Sequence, residues 1–375
     1  MFESDVQPTD DYRPAPTPWT VYLGFVLLVL AVVGIVVFAT SPAPYVIERP
    51  GPVFNTLGQV ENSHGDEVEL IDIPHETTYP TSGTLDMLTV YLDGSPQTPI
   101  SWIDVALAWF NPSRSIVALD AVFPPGQTDD EANQESAQQM DSSQQDAVAA
   151  ALTELGIPYT STLAVAEVIT GTPADGVLQA GDELLSAGGI RLDNVEQLRA
   201  KLAASGVGVP IELGIRRAGV EQTVTLSPEP SPQDGSATIG IYPGATYEFP
   251  IDVNIQLNNV GGPSAGTMFA LGIYDKLTPG ELAGGEKIAG TGTIDGSGTV
   301  GAIGGIVQKM YGARDDGADW FLAPESNCSE VVGHIPDGIR VFSISTLDEA
   351  IKSVEAIANG DTSSLATCQA EPAQG

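Results

Sequence analysis

The chain has 375 residues, 42% of them hydrophobic, enough for two or three folded domains beyond any anchor. Against 14 Lys and Arg stand 49 Asp and Glu, a formal net charge of −35. That balance argues against a nucleic-acid partner, because phosphate backbones are bound by a Lys/Arg surface that displaces counterions, and it makes an anionic membrane surface repel the body of the protein.

Residues 1–18 form a short acidic tail, and from Trp19 to Ala39 the chain carries no charge. At 1.5 Å per residue this is roughly 31 Å of helix, long enough to cross a bilayer, and a transmembrane helix is expected over residues 19–40. A cleaved signal peptide is the rival reading. The apolar run exceeds the usual signal core, the preceding tail is acidic, and Ser41-Pro42-Ala43 is a poor cleavage site, so a retained anchor is favoured. Arg13 on one side and Arg49 on the other leave orientation unset by charge.

Residues 41–125 read as a β-rich N-terminal module. Tyr45 to Val53 and Tyr79 to Tyr91 look like strands, and Ile103 to Phe110 like an amphipathic helix. Residues 126–159 begin as an exposed linker rich in Asp, Glu, Gln and Ser, then run into a helix starting near Ser142 and continuing through Val148, Ala151, Leu152 and Leu155.

Between Thr160 and Pro230 short strands surround one helix, with strands at Leu163–Ile169, Glu183–Ala187, Pro210–Arg216 and Glu221–Leu226 and the helix at Val195–Leu202. Val168-Ile169-Thr170-Gly171-Thr172-Pro173-Ala174, Ala180-Gly181-Asp182-Glu183-Leu184-Leu185 and Gly188-Gly189 resemble a PDZ domain. That resemblance implies binding of extended peptide ends beside a sheet edge. No Gly-Leu-Gly-Phe-like loop precedes Leu163, so capture of a terminal carboxylate is not implied. Asp182 reads as a turn residue.

Within residues 240–358, Gly261-Gly262-Pro263-Ser264-Ala265-Gly266 and Ile303-Gly304-Gly305-Ile306-Val307-Gln308-Lys309 carry the chemistry. A serine hydroxyl needs a base close by, and a lysine serves only if it is uncharged. Ile303, Ile306, Val307 and Met310 offer apolar surroundings that disfavour the ammonium. Amides where Gly262 and Ala265 lead into a helix are placed to hold an oxyanion. Either segment alone also reads as an ordinary glycine turn, the first with a serine helix cap. His64, His75 and His334 are the three histidines and give no Ser/His/Asp pattern; no zinc spacing or Asp-rich calcium loop is present, and no cofactor is expected.

With Ile288 to Ile294 and Gly317 to Pro324, these segments resemble the proteolytic domain of Lon-type serine proteases. The resemblance implies that Ser264 is the nucleophile, Lys309 its base and Thr291 a residue that orients the lysine, although Thr291 also fits as a plain β-branched strand residue. The chain shows no Gly-x-x-x-x-Gly-Lys-Ser/Thr loop. The whole order resembles membrane-anchored, ATP-independent Lon-like proteases of Gram-positive bacteria. It implies an α+β protein on the cell membrane, single-pass with an extracytoplasmic body, acting on protein or peptide substrates, with trimers or hexamers a possible assembly. Cys328 and Cys368, the latter in the 359–375 tail, either pair, as suits an oxidising compartment, or remain free thiols. The contrasting class is a non-catalytic membrane adaptor built on a PDZ module and a degenerate Lon-like scaffold.

Overall fold

The computed structural model describes residues 19–62, 64–124, 126–192, 195–231, 235–258 and 260–369; the expected 1–18 tail lies outside them. Helix α1 (Trp19–Thr40) buries none of its residues. It is long and apolar enough to cross a membrane.

A mixed six-stranded sheet forms the centre of the body. Its members are β1 (Tyr45–Asn55), β2 (Thr84–Asp93), β3 (Ser115–Ala118), β9 (Lys287–Gly290), β10 (Trp320–Pro324) and β11 (Arg340–Ile344), in the order β11-β10-β9-β2-β1-β3. The pairs β11–β10, β10–β9 and β9–β2 are parallel, whereas β2–β1 and β1–β3 are antiparallel. Residues 41–125 therefore do not stand apart as a module: β1 and β2 complete the same sheet that carries β9 to β11. Leu85 pairs with Ile288 in that sheet, joining segments some two hundred residues apart.

Alternate residues of these strands face opposite layers, as the strand period of two requires. Leu85, Met87, Leu322 and Phe342 pack with α3 (Asp129–Glu154), α5 (Gly266–Leu277) and α7 (Leu347–Ala358). Leu88, Ala289, Phe321 and Val341 pack on the other face with α6 (Ile306–Asp316). A short helix α2 (Trp102–Ala108) sits beside the end of α1.

Helix α3 starts thirteen residues earlier than the composition suggests. Thr128 and Glu131 form a reciprocal cap, and Asp129, Asp130 and Glu131 place negative charge against the helix N-terminus. Of residues 129–141 only Met140 is buried, so that stretch shows no hydrophobic periodicity.

The second sheet contains β4 (Thr160–Val168), β5 (Glu183–Ala187), β6 (Ile211–Arg217), β7 (Val220–Leu226) and β8 (Ile241–Glu248), in the order β7-β6-β5-β4-β8, with α4 (Val195–Ser205) packed on its own core. Asp182 is buried and accepts a two-pronged contact from Arg217, at 2.7 Å to Nε and 2.6 Å to Nη2. The sequence sets the end of this unit near Pro230, where prolines cluster. Its sheet extends to Glu248, because β8 pairs along all of β4 despite Pro243, which sits at a register shift. The unit is thus inserted into the larger fold between α3 and the segment leading to Ser264.

Candidate active site

Ser264 lies in the turn before α5. Gly262 has φ +83°, a conformation glycine adopts without strain, and its amide donates to the carbonyl of Ser136 at 2.8 Å. Ser143 donates to the carbonyl of Pro263 at 2.9 Å. Both partners belong to α3, Ser136 in the stretch expected to be a linker and Ser143 in the part expected to be helical, so this helix holds the Ser264 turn at two points. At Gly266 a Cβ would come within 2.9 Å of Ser143 Oγ and Ile294 Cγ2, so only glycine lets α5 approach this closely.

Lys309 rises from α6, whose entry residue Gly305 has φ +68°. The lysine is 2% exposed, and Ile306 and Met310 of the same helix are fully buried beside it in sequence. Burial pushes its amine down to about 7, so a large share of the protein holds it neutral near neutral pH. Its Nζ is 2.6 Å from Ser264 Oγ and 3.0 Å from Thr291 Oγ1. Thr291, buried just after β9, donates its hydroxyl to the carbonyl of Ser264 at 2.9 Å.

The three side chains named from the sequence therefore meet at one point. Thr291 accepts from the amine while donating to the serine backbone, which fixes the rotamer of its hydroxyl and locks the amine beside Ser264. Gly262 does not face the pair, since its N–H is engaged by Ser136. Ala265 stands buried at the start of α5, directly after Ser264. Cys328 and Cys368 are joined in a disulfide that ties the terminal segment to the domain. His334 sits in a turn with Nδ1 3.0 Å from the carbonyl of Glu330 and takes no part in the site.

A groove of about 520 Å³ opens over Ser264 and Lys309. Phe54, Met87, Leu88, Val90, Met140 and Val260 give it apolar walls. Composition hid most of these residues, because all but Val260 come from β1, β2 and α3, outside the segments with recognisable motifs. The shift in register of β1 between Pro50 and Val53 shapes the rim, where Pro52 lies.

Residues 256–357 match the family model of the Lon protease (S16) C-terminal proteolytic domain, and residues 139–227 match that of the PDZ domain. Lon protease 2 of Bacillus subtilis is 31% identical over 110 residues, 28% of this chain and 19% of that protein. The archaeal Lon protease of Methanocaldococcus jannaschii is 32% identical over 107 residues, 28% of this chain and 16% of that protein. The chain thus spans less than a fifth of the length of these curated relatives. Among solved structures, the PDZ domain of an SdrC-like protein from Listeria innocua aligns at 20% identity and a TM-score of 0.21, covering 22% of this chain and 92% of that one. This chain carries a PDZ domain together with a proteolytic domain of the Lon type.

Proposed function

We propose that the protein is a membrane-anchored, ATP-independent serine endopeptidase in which Ser264 is the nucleophile and Lys309 the general base. The observation that carries this reading is the 2.6 Å approach of a buried lysine amine to a serine hydroxyl at the floor of a groove.

With Lys309 neutral, the Ser264 hydroxyl donates to Nζ. As Oγ bonds to the scissile carbonyl carbon, its proton passes to the amine and the carbonyl oxygen takes the negative charge. The Ala265 amide, at the positive end of α5, is assigned to that oxyanion. The Lys309 ammonium then returns the proton to the leaving nitrogen, the C–N bond breaks and an acyl-Ser264 remains. Water attacks the ester with Lys309 again as base, which releases the second product. Thr291 holds the amine in line throughout.

Flexible or unfolded proteins are the proposed substrates, since the groove admits side chains of an extended segment and no step uses a nucleotide. The PDZ domain serves as substrate-binding or gating module. Helix α1 is the anchor, and the Cys328–Cys368 disulfide fits a body outside the cytoplasm. A ring of three or six copies would enclose the grooves.

Casein digestion tests the reading. The wild-type protein should cleave it without ATP, and Ser264→Ala or Lys309→Met should abolish cleavage with an unchanged circular dichroism spectrum. A protein that binds casein equally in all three forms and cuts none is an adaptor.

A further inference from the structure

Helix α2 is apolar on two opposite sides. Val105 and Ala108 turn inward and are buried, and the helix packs there against β1 and β3. Ile103 and Leu107 lie one turn apart on the other side, and Trp109 and Phe110 follow in the turn that ends the helix. Ile103, Leu107 and Phe110 are 38%, 63% and 85% exposed, and Trp109 is 78% exposed. A water-facing surface helix of an acidic protein has no reason to present this apolar surface.

The position of α2 identifies what covers it. Pro42, two residues beyond α1, forms a bridge with Ser101, the residue that caps α2. The Phe38 ring, in the last turn of α1, stacks on Trp102 at 6.4 Å, and Trp102 meets Tyr45 edge-on at 5.8 Å. The exposed apolar surface therefore begins at the height where the apolar helix ends. Aromatic and aliphatic side chains at that level match the bilayer interface, where amphipathic rings gather. With a net charge of −35 the body gains nothing from anionic headgroups, so apolar insertion is the available means of holding it against the lipid.

We infer that the outward face of α2, through Ile103 and Leu107, together with Trp109 and Phe110 in the turn that ends it, is a second membrane contact that lies in the headgroup region and fixes the tilt of the body relative to α1. This rests on the reading of α1 as a membrane span.

The test uses the full chain in phosphatidylcholine nanodiscs containing a doxyl-labelled lipid. The native cysteines are bonded to each other, so single thiols introduced by Leu107→Cys, Phe110→Cys, Val29→Cys and Val220→Cys take an environment-sensitive fluorophore selectively. Val29 lies within α1, and Val220 is an exposed residue at the start of β7, in the PDZ domain. Emission from positions 107 and 110 should be blue-shifted and roughly halved by the doxyl lipid, that from 29 quenched at greater depth, and that from 220 unchanged. Quenching at 29 without quenching at 107 and 110 overturns the inference while leaving the span intact. A blue shift at 107 without lipid quenching overturns it in favour of a protein neighbour such as a second copy. Absence of quenching at 29 removes the membrane reading itself.

Discussion

Thr160 pairs with Glu248 across the antiparallel β4–β8 ladder, so the chain leaves the larger fold and returns to it at adjacent points. Tyr159 and Phe249, the flanking residues, stack edge to face at 5.6 Å and close the junction. Replacing residues 161–247 with a short Gly/Ser linker should leave a folded protein that still hydrolyses short chromogenic peptides, with loss concentrated on protein substrates. Loss of the thermal transition would show instead that the two sheets fold only together.

Protonation of Lys309 should set the pH profile. Only the neutral amine accepts the Ser264 proton, so kcat/KM should climb about tenfold per unit below about 7 and level off above it. The sign for stability follows from the same shift. The folded state binds the proton less well than the unfolded chain, so the burial penalty is full below about 7 and fades as pH rises towards the ordinary lysine value. Chemical denaturation of Lys309→Met between pH 7 and 10 should therefore lack the rise in stability seen for the wild type and lie above it at pH 7.

Thr291 is expected to act by positioning the amine. Thr291→Val keeps the shape but removes the hydroxyl, and should lower kcat by about tenfold to a hundredfold with KM little changed. Thr291→Ser should restore most of the rate. Equal effects of both substitutions on kcat would reduce Thr291 to a strand-filling residue.

Ser143→Ala leaves the Pro263 carbonyl without its partner from α3. Stability should fall by about 1 kcal/mol, the usual worth of such a bond. Because the residue next to that carbonyl is Ser264, kcat should fall further than so small a loss of stability explains. Thermal melts and peptide hydrolysis measured side by side check this.

Reduction of the Cys328–Cys368 bond opens a loop with a sequence separation of 40. By chain-entropy reasoning its loss destabilises the domain by about 4 kcal/mol. Cys368→Ser should give the same drop in Tm as a reductant, and the two together should not add.

The meeting of Ser264 with Lys309 was legible because the two residues sit in short glycine-flanked segments whose chemistry is local. The support beneath it was not. The first half of α3 buries only Met140, so its Gln- and Asp-rich sequence resembles a solvated linker, although Ser136 there and Ser143 beyond it hold the Ser264 turn. The shared sheet was hidden for a different reason. Strand periodicity reveals that Leu85 and Ile288 lie in strands, but nothing local reveals that they are neighbours. Strand β8 escaped notice because Pro243 and Gly244 interrupt its alternation, and its partner lies upstream in β4.

Covalent chemistry at Ser264 is the most direct test. Protein quenched with acid during turnover of a chromogenic ester should show, by peptide mass mapping, one acyl group on the peptide bearing Ser264, and none in Ser264→Ala. An acyl group on another residue, or undiminished hydrolysis by Ser264→Ala, would contradict the assignment of nucleophile and base.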